Sequence, residues 1–156
     1  MSTQTLTCDV IDYPTHFTLG IHTHCPQKDL PVVIPQLLRE VQAYFAEIGK
    51  PQTEPPYVAY FNDDMDNLDV EIGFITAEKL SGKGEIVSGI IGGGRAVSCT
   101  YVGAYNLLYQ GHEAAHRFIA DKGYQHAGAA YEIYLDDPAK TPEVELKTQV
   151  VVMIES

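Results

Sequence analysis

The sequence predicts an α+β fold: a tandem pair of β-α-β-β units forming an antiparallel sheet, with both helices on one face and a ligand cleft on the other. Three observations lead there. Hydropathy switches from a period of two to a period near 3.6 and back, and does so twice. The two rounds recur at an offset of 74 residues, ungapped across residues 33–75, which reads as an internal duplication. Each helical stretch also runs into a glycine, Gly49 or Gly123, the residue that most readily ends a helix.

The elements follow in order. Residues 17–23 alternate with strand period, and residues 25–30 turn the chain. Val33, Ile34, Leu37, Leu38, Val41, Phe45 and Ile48 then mark one face of a helix, stopped by Gly49-Lys50-Pro51. Strands are expected at 57–61 and 68–75. The second round gives a strand at 95–102, a helix at 105–122, and strands at 129–135 and 146–154. At the 74-residue offset Tyr57 falls on Tyr131, Tyr60 on Tyr134, and Asp69-Val70-Glu71 on Glu143-Val144-Glu145. The repeats span about 16–76 and 95–155 of one domain covering residues 1–156. The glycine-rich stretch 81–94 lacks the Gly-Lys-Ser/Thr of a phosphate loop and opens no helix, so its glycines are read as tight turns or bulges between strands. A sheet with helices on one face leaves its other face for a cleft along the seam between repeats.

Composition narrows the functional classes. The chain of 156 residues carries 21 acidic against 10 basic side chains, a net charge of −11. Such a field attracts cations and opposes phosphate backbones, and no basic helix or helix-turn-helix pattern argues for direct nucleic-acid binding. No apolar run reaches the roughly 20 residues of a membrane helix, and the N-terminus does not read as a signal peptide. Three cysteines, Cys8, Cys25 and Cys99, are an odd number without Cys-x-x-Cys spacing. They support neither a disulfide framework nor a zinc ribbon, and the expectation is near-core thiols in a reduced cytoplasmic protein.

The strand Tyr131-Glu132-Ile133-Tyr134-Leu135 carries the chemistry. Alternation sends Tyr131, Ile133 and Leu135 one way, assigned to the helices, and Glu132 with Tyr134 the other, toward the cleft. The matching positions of the first repeat on that cleft face are Val58 and Tyr60. A carboxylate among aromatic rings is costly until something pairs with it.

Val102-Gly103-Ala104-Tyr105 before a helix, then Tyr131 to Pro138 with its E-x-Y-x-x-D-P element, then Pro142 to Gln149, resembles the GyrI-like small-molecule-binding family. That family includes the effector-binding domains of AraC-type and MerR-type multidrug regulators as well as free-standing forms. The resemblance spans essentially the whole chain and implies a tandem β-α-β-β fold. It also implies an aromatic cleft whose floor glutamate pairs with lipophilic cations, which corresponds here to Glu132, with Tyr134 and Tyr105 at neighbouring positions of the motif. Tyr60 and Tyr101 complete the candidate ligand-binding set. The sequence has no tryptophan, so nothing that depends on one carries over. The expected function is a free-standing binder of lipophilic, cationic, drug-like molecules, with no cofactor and no catalytic residue. Regulation is expected only through a separate protein partner. The alternative is a hydrolase of strained electrophiles on the same fold, with Glu132 as general base and Tyr134 or Tyr105 as proton donor.

Two histidine patterns compete. His112-Glu113-Ala114-Ala115-His116 matches the zincin H-E-x-x-H. However, Ile119 and Lys122 stand where an extended motif needs Gly and His, and the helix is needed for packing. No metal is expected there. His22 and His24 share a strand face, but no third ligand presents itself in the sequence.

Overall fold

The computed structural model describes residues 6–156. In chain order it contains β1 (Cys8–Tyr13), β2 (His16–Cys25), α1 (Leu30–Glu47), β3 (Pro56–Tyr60), β4 (Leu68–Thr76), β5 (Ile86–Ile91), β6 (Gly94–Val102), α2 (Tyr109–Lys122), β7 (His126–Tyr134) and β8 (Lys147–Ile154). The fold is α+β with antiparallel strands, as the sequence predicts. Two strands, β1 and β5, are additions to the expected set. Both are short, and β5 is interrupted by glycine, so neither gives a clear period.

The chain divides into two compact units: Pro14–Gly93, and Gly94–Ser156 together with the N-terminal strand. In the first, β4 pairs with β2 and β3, and β5 pairs on the other edge of β2. Helix α1 begins with a proline in its first turn, where the missing N–H is no loss. It lays Val41, Tyr44 and Phe45 on Leu19, Ile21 and Phe74 to make the core of this unit.

The second unit repeats the plan. β8 pairs with β6 and β7, and β1 pairs on the other edge of β6. Each unit is therefore a β-α-β-β motif with one extra strand beside its first. Both helices end on a left-handed glycine, Gly49 at φ 69° and Gly123 at φ 74°, the conformation that a Cβ disfavours.

The strand registers correct the ungapped offset. Gly73 is paired with Gly20 and Tyr57, and Val151 with Ser98 and Tyr131. The first and third strands of the motif are thus displaced by 78 residues (Gly20 to Ser98, Gly73 to Val151), while Tyr57 to Tyr131 keeps 74. Asp69 lies within β4, whereas Glu143–Glu145 forms a short 3₁₀ turn ahead of β8. The second copy has a shorter helix, 14 residues against 18, and a longer β7–β8 loop. A sliding comparison that allows no gap cannot see compensating length changes.

The cysteines need a further correction. Cys8 and Cys99 form a disulfide. They are separated by 91 residues, so local spacing carries no trace of the pairing. The β1–β6 register sets them directly opposite each other. Among the described residues Cys25 is the free cysteine, and it is buried. With a disulfide present, the cysteines do not point to a reducing compartment. No helix is long and apolar enough to cross a membrane.

Candidate functional site

The site is built on β7 and α2 of the second unit. β7 sets Glu132 opposite Val150 and Tyr134 opposite Thr148 on β8, and on β6 Cys99 and Tyr101 pair with the same two residues. This row faces the helix. A Cβ added at Gly111 of α2 would meet Val150 at 3.0 Å and Tyr101 at 3.3 Å. Glu132 and Tyr134 therefore stand under α2, and Tyr131 and Ile133 on the reverse face, the opposite of the sequence assignment. The reason is that all four are buried, so apolarity could not distinguish the two faces. The polar residue went to the side that offers it a partner. Val58 and Tyr60 of the other unit likewise pair with Ile72 and Val70, in the row that includes the core residue Phe74.

That partner is His112. Its Nε2 lies 2.7 Å from Glu132 Oε2, and the hydroxyl of Tyr134 donates to Oε1 at 2.6 Å. An ionised carboxylate can only accept, so His112 must carry its hydrogen on Nε2. Glu132 is 5% exposed, a depth at which an acid needs such partners. His112 is the first His of H-E-x-x-H, and it serves a strand glutamate instead of sharing a ligand set with His116. The ring of His116 packs at 5.1 Å from that of His126. The motif was visible in the sequence, and its chemistry was not.

Tyr105 closes the site on its outer side. Its ring meets that of Tyr134 edge to face, centroids 5.5 Å apart. It also lines a pocket of about 340 Å³ with Ala104, Asn106, Pro138, Thr141, Glu143 and Leu146. Burial pushes its phenol above the ordinary range, and the carboxylates of Asp136, Asp137 and Glu132 push the same way. The surroundings of this ring are negative. Tyr101 is 2% exposed and donates to Ala104 O at 2.7 Å, so it supports the turn leading into α2 from beneath. Tyr60 belongs to the other unit and is half-buried.

A protein-family model described as the GyrI-like small molecule binding domain matches residues 18–155. The chain belongs to the GyrI-like family. No curated protein sequence matches it. Among solved structures, this GyrI-like chain resembles EcmrR in its complex with DNA at 18% identity and TM-score 0.80, covering 97% of this chain and 57% of that one. The chain thus spans little more than half of that relative, and it matches 98% of the isolated EcmrR C-terminal domain. It also resembles a hydrolase from Listeria innocua (14% identity, TM-score 0.65, covering 95% of this chain and 91% of that one). A third likeness is to SAV2435 bound to tetraphenylphosphonium (10% identity, TM-score 0.58, covering 98% and 95%). At these identities the likeness to solved structures is one of fold.

Proposed function

We propose that this GyrI-like protein binds lipophilic cationic small molecules, with Glu132 as counter-ion and Tyr134 and Tyr105 as the rings that receive the cation. The observation that carries this reading is the setting of Glu132. It is a nearly fully buried carboxylate, and among the described residues no lysine or arginine forms an ion pair with it. Its neighbours are an imidazole and a phenol, beyond which lies an aromatic ring held among acids. A permanent cation gains Coulomb attraction from such a group without having to displace a fixed positive charge. Tyrosine faces add about 0.5–2 kcal/mol each, depending on desolvation. The solved neighbour with tetraphenylphosphonium supports the ligand class. Tyr101 shapes the wall rather than touching ligand. The net charge of −11 leaves direct DNA contact by these residues outside the proposal.

The test is Glu132→Gln titrated with tetraphenylphosphonium and with a neutral aromatic of similar bulk. A charge-assisted contact is worth roughly 1.5–3 kcal/mol, so cation affinity should fall about ten- to a hundredfold while the neutral compound keeps its own. Equal losses for both would reduce Glu132 to a structural role.

A second reading rests on the same hydrogen bonds. Glu132, held by His112 and by Tyr134, has the makings of an acid–base site. Glu132 would take a proton from water as its oxygen attacks a strained ring carbon. The ring's carbon–heteroatom bond would break, and the heteroatom would take its proton from Tyr134 or Tyr105. The structural neighbour described as a hydrolase gives this reading some weight. Recovery of an electrophilic ligand unchanged after incubation separates binding from turnover.

A further inference from the structure

The sequence left His22 and His24 without a third partner, and the fold supplies one. Both histidines project from the same face of β2, and β4 sets Asp69 directly opposite His24. Asp69 Oδ1 contacts Nε2 of His22 and lies 3.5 Å from Nε2 of His24. One donor atom from each residue falls within 4.8 Å of the other two. Among the described residues this is the one group of three or more metal-ligating side chains that converge in this way.

The three are also held in place. The Asp69 backbone N–H donates to Asn62 Oδ1 at 2.9 Å, and its carbonyl accepts from the Phe61 N–H at 2.9 Å. The Phe61 ring stacks on His22 at 5.5 Å between centroids. The nearest rival acid on this face, Glu71, sits opposite His22 and accepts the Tyr57 hydroxyl at 2.6 Å. The site thus has ordered backbone on both sides, a ring that fixes one imidazole, and a single carboxylate aimed at two nitrogens.

We propose that His22, His24 and Asp69 form a binding site for a borderline divalent cation of the Zn²⁺ class. Two imidazole nitrogens and one carboxylate oxygen suit Zn²⁺, Co²⁺, Ni²⁺ or Cu²⁺, and disfavour Mg²⁺ and Ca²⁺, which take oxygen ligands. The ion takes the place of the His22 hydrogen bond to Asp69, and it needs both imidazoles neutral, because a protonated ring has no lone pair to give. His22 and His24 are about half exposed and Asp69 about a third, so three protein ligands leave an open position filled by water. Such a site ties β2 to β4 at one end of their ladder, in the Pro14–Gly93 unit, and none of its residues lines the pocket beside Tyr105.

The test uses the full chain made without a polyhistidine tag, titrated with ZnCl₂ by calorimetry and followed by thermal unfolding. One Zn²⁺ per chain is expected, with a rise in the unfolding midpoint that saturates with the ion, and no response to MgCl₂ or CaCl₂. His24→Ala and Asp69→Asn should each weaken Zn²⁺ by more than about tenfold, the loss that removing even an outer partner causes at a metal site. Because His24 is exposed and Asp69→Asn keeps the shape of its side chain, both variants should keep the metal-free midpoint. Co²⁺ in place of Zn²⁺ should give visible absorption that disappears in either variant. His116→Ala should leave all of this unchanged. Absence of saturable Zn²⁺ binding would overturn the proposal. So would binding that survives Asp69→Asn together with His24→Ala, or that is lost in His116→Ala.

Discussion

Replacing His112 with alanine strikes the hydrogen-bonded core of the candidate site. The imidazole donates to Glu132 at 2.7 Å, and the two side chains are 21% and 7% exposed. Without it the carboxylate stays buried and keeps the Tyr134 hydroxyl, but loses its charge-assisted partner. Breaking a buried pair costs about 3–5 kcal/mol when the survivor is sealed from water. Here the space vacated by a one-fifth-exposed imidazole admits water, so the loss is placed at about 2–3 kcal/mol, near the worth of one hydrogen bond to a charged group. In a Glu132→Gln background the same alanine leaves only a neutral amide and should cost about 1 kcal/mol. The pair is thus coupled by about 1–2 kcal/mol. Urea unfolding of the wild type, both single variants and the double variant at neutral pH measures this directly. A coupling within about 0.5 kcal/mol of zero, the limit for independent sites, would refute the view that His112 holds the charge of Glu132. The same reasoning predicts that His112→Ala binds tetraphenylphosphonium more tightly than the wild type, because the cation no longer competes with an imidazole.

Other outcomes follow from individual contacts. Tyr105→Ala should weaken tetraphenylphosphonium by about two- to thirtyfold, one cation–π contact's worth, while Tyr105→Phe keeps most of the affinity, as calorimetry would show. Burial, with Tyr131 alongside, pushes the Tyr13 phenol up to about 12. A raised folded value means that its stabilisation is complete below the unfolded value near 10 and lost as pH climbs from there toward 12. Alkaline unfolding curves should lose about 2–3 kcal/mol across that window, a slope that Tyr13→Phe removes. Cleaving the Cys8–Cys99 disulfide opens a loop of about 90 residues. This should cost about 4–5 kcal/mol in the chain-entropy account and lower the thermal midpoint by roughly 10–15 °C, measured for the double alanine variant against the oxidised protein.

The main elements of the fold were legible because their signals are local. Helical periodicity at residues 33–48, the glycine stops and the alternating strands all survive without tertiary context. The strands β1 and β5 were not legible, since six residues with mixed burial give no period. Glu132 stands out in the sequence as an acid among strand aromatics, yet its direction is not legible there. A strand covered on both faces carries no hydrophobic label for either, and only the helix-borne His112 reveals which way the acid turns. His22, His24 and Asp69 failed for the complementary reason. Two ligands on one strand are visible as a pattern, but the third lies 45 residues away from His24 and is supplied by register. Pairings of this kind, like that of Cys8 with Cys99, belong to the topology.

The placement of β1 has a consequence for how the protein is made. Tyr13 ends β1 and is paired with Gly94 at the start of β6, while Pro14–Gly93 forms a unit of its own between them. On the ribosome β1 therefore emerges well before β6, the strand it pairs with. At about 5–20 residues per second, its partner strand follows some 4–16 s later, long enough for the intervening unit to complete its own hairpins and helix. A strand made well before its partner is seated only once that partner arrives, and the disulfide then acts as a latch on that late step. An N-terminal fusion that delays or hinders β1 should slow oxidation of Cys8 with Cys99 while leaving the Pro14–Gly93 unit to form on schedule.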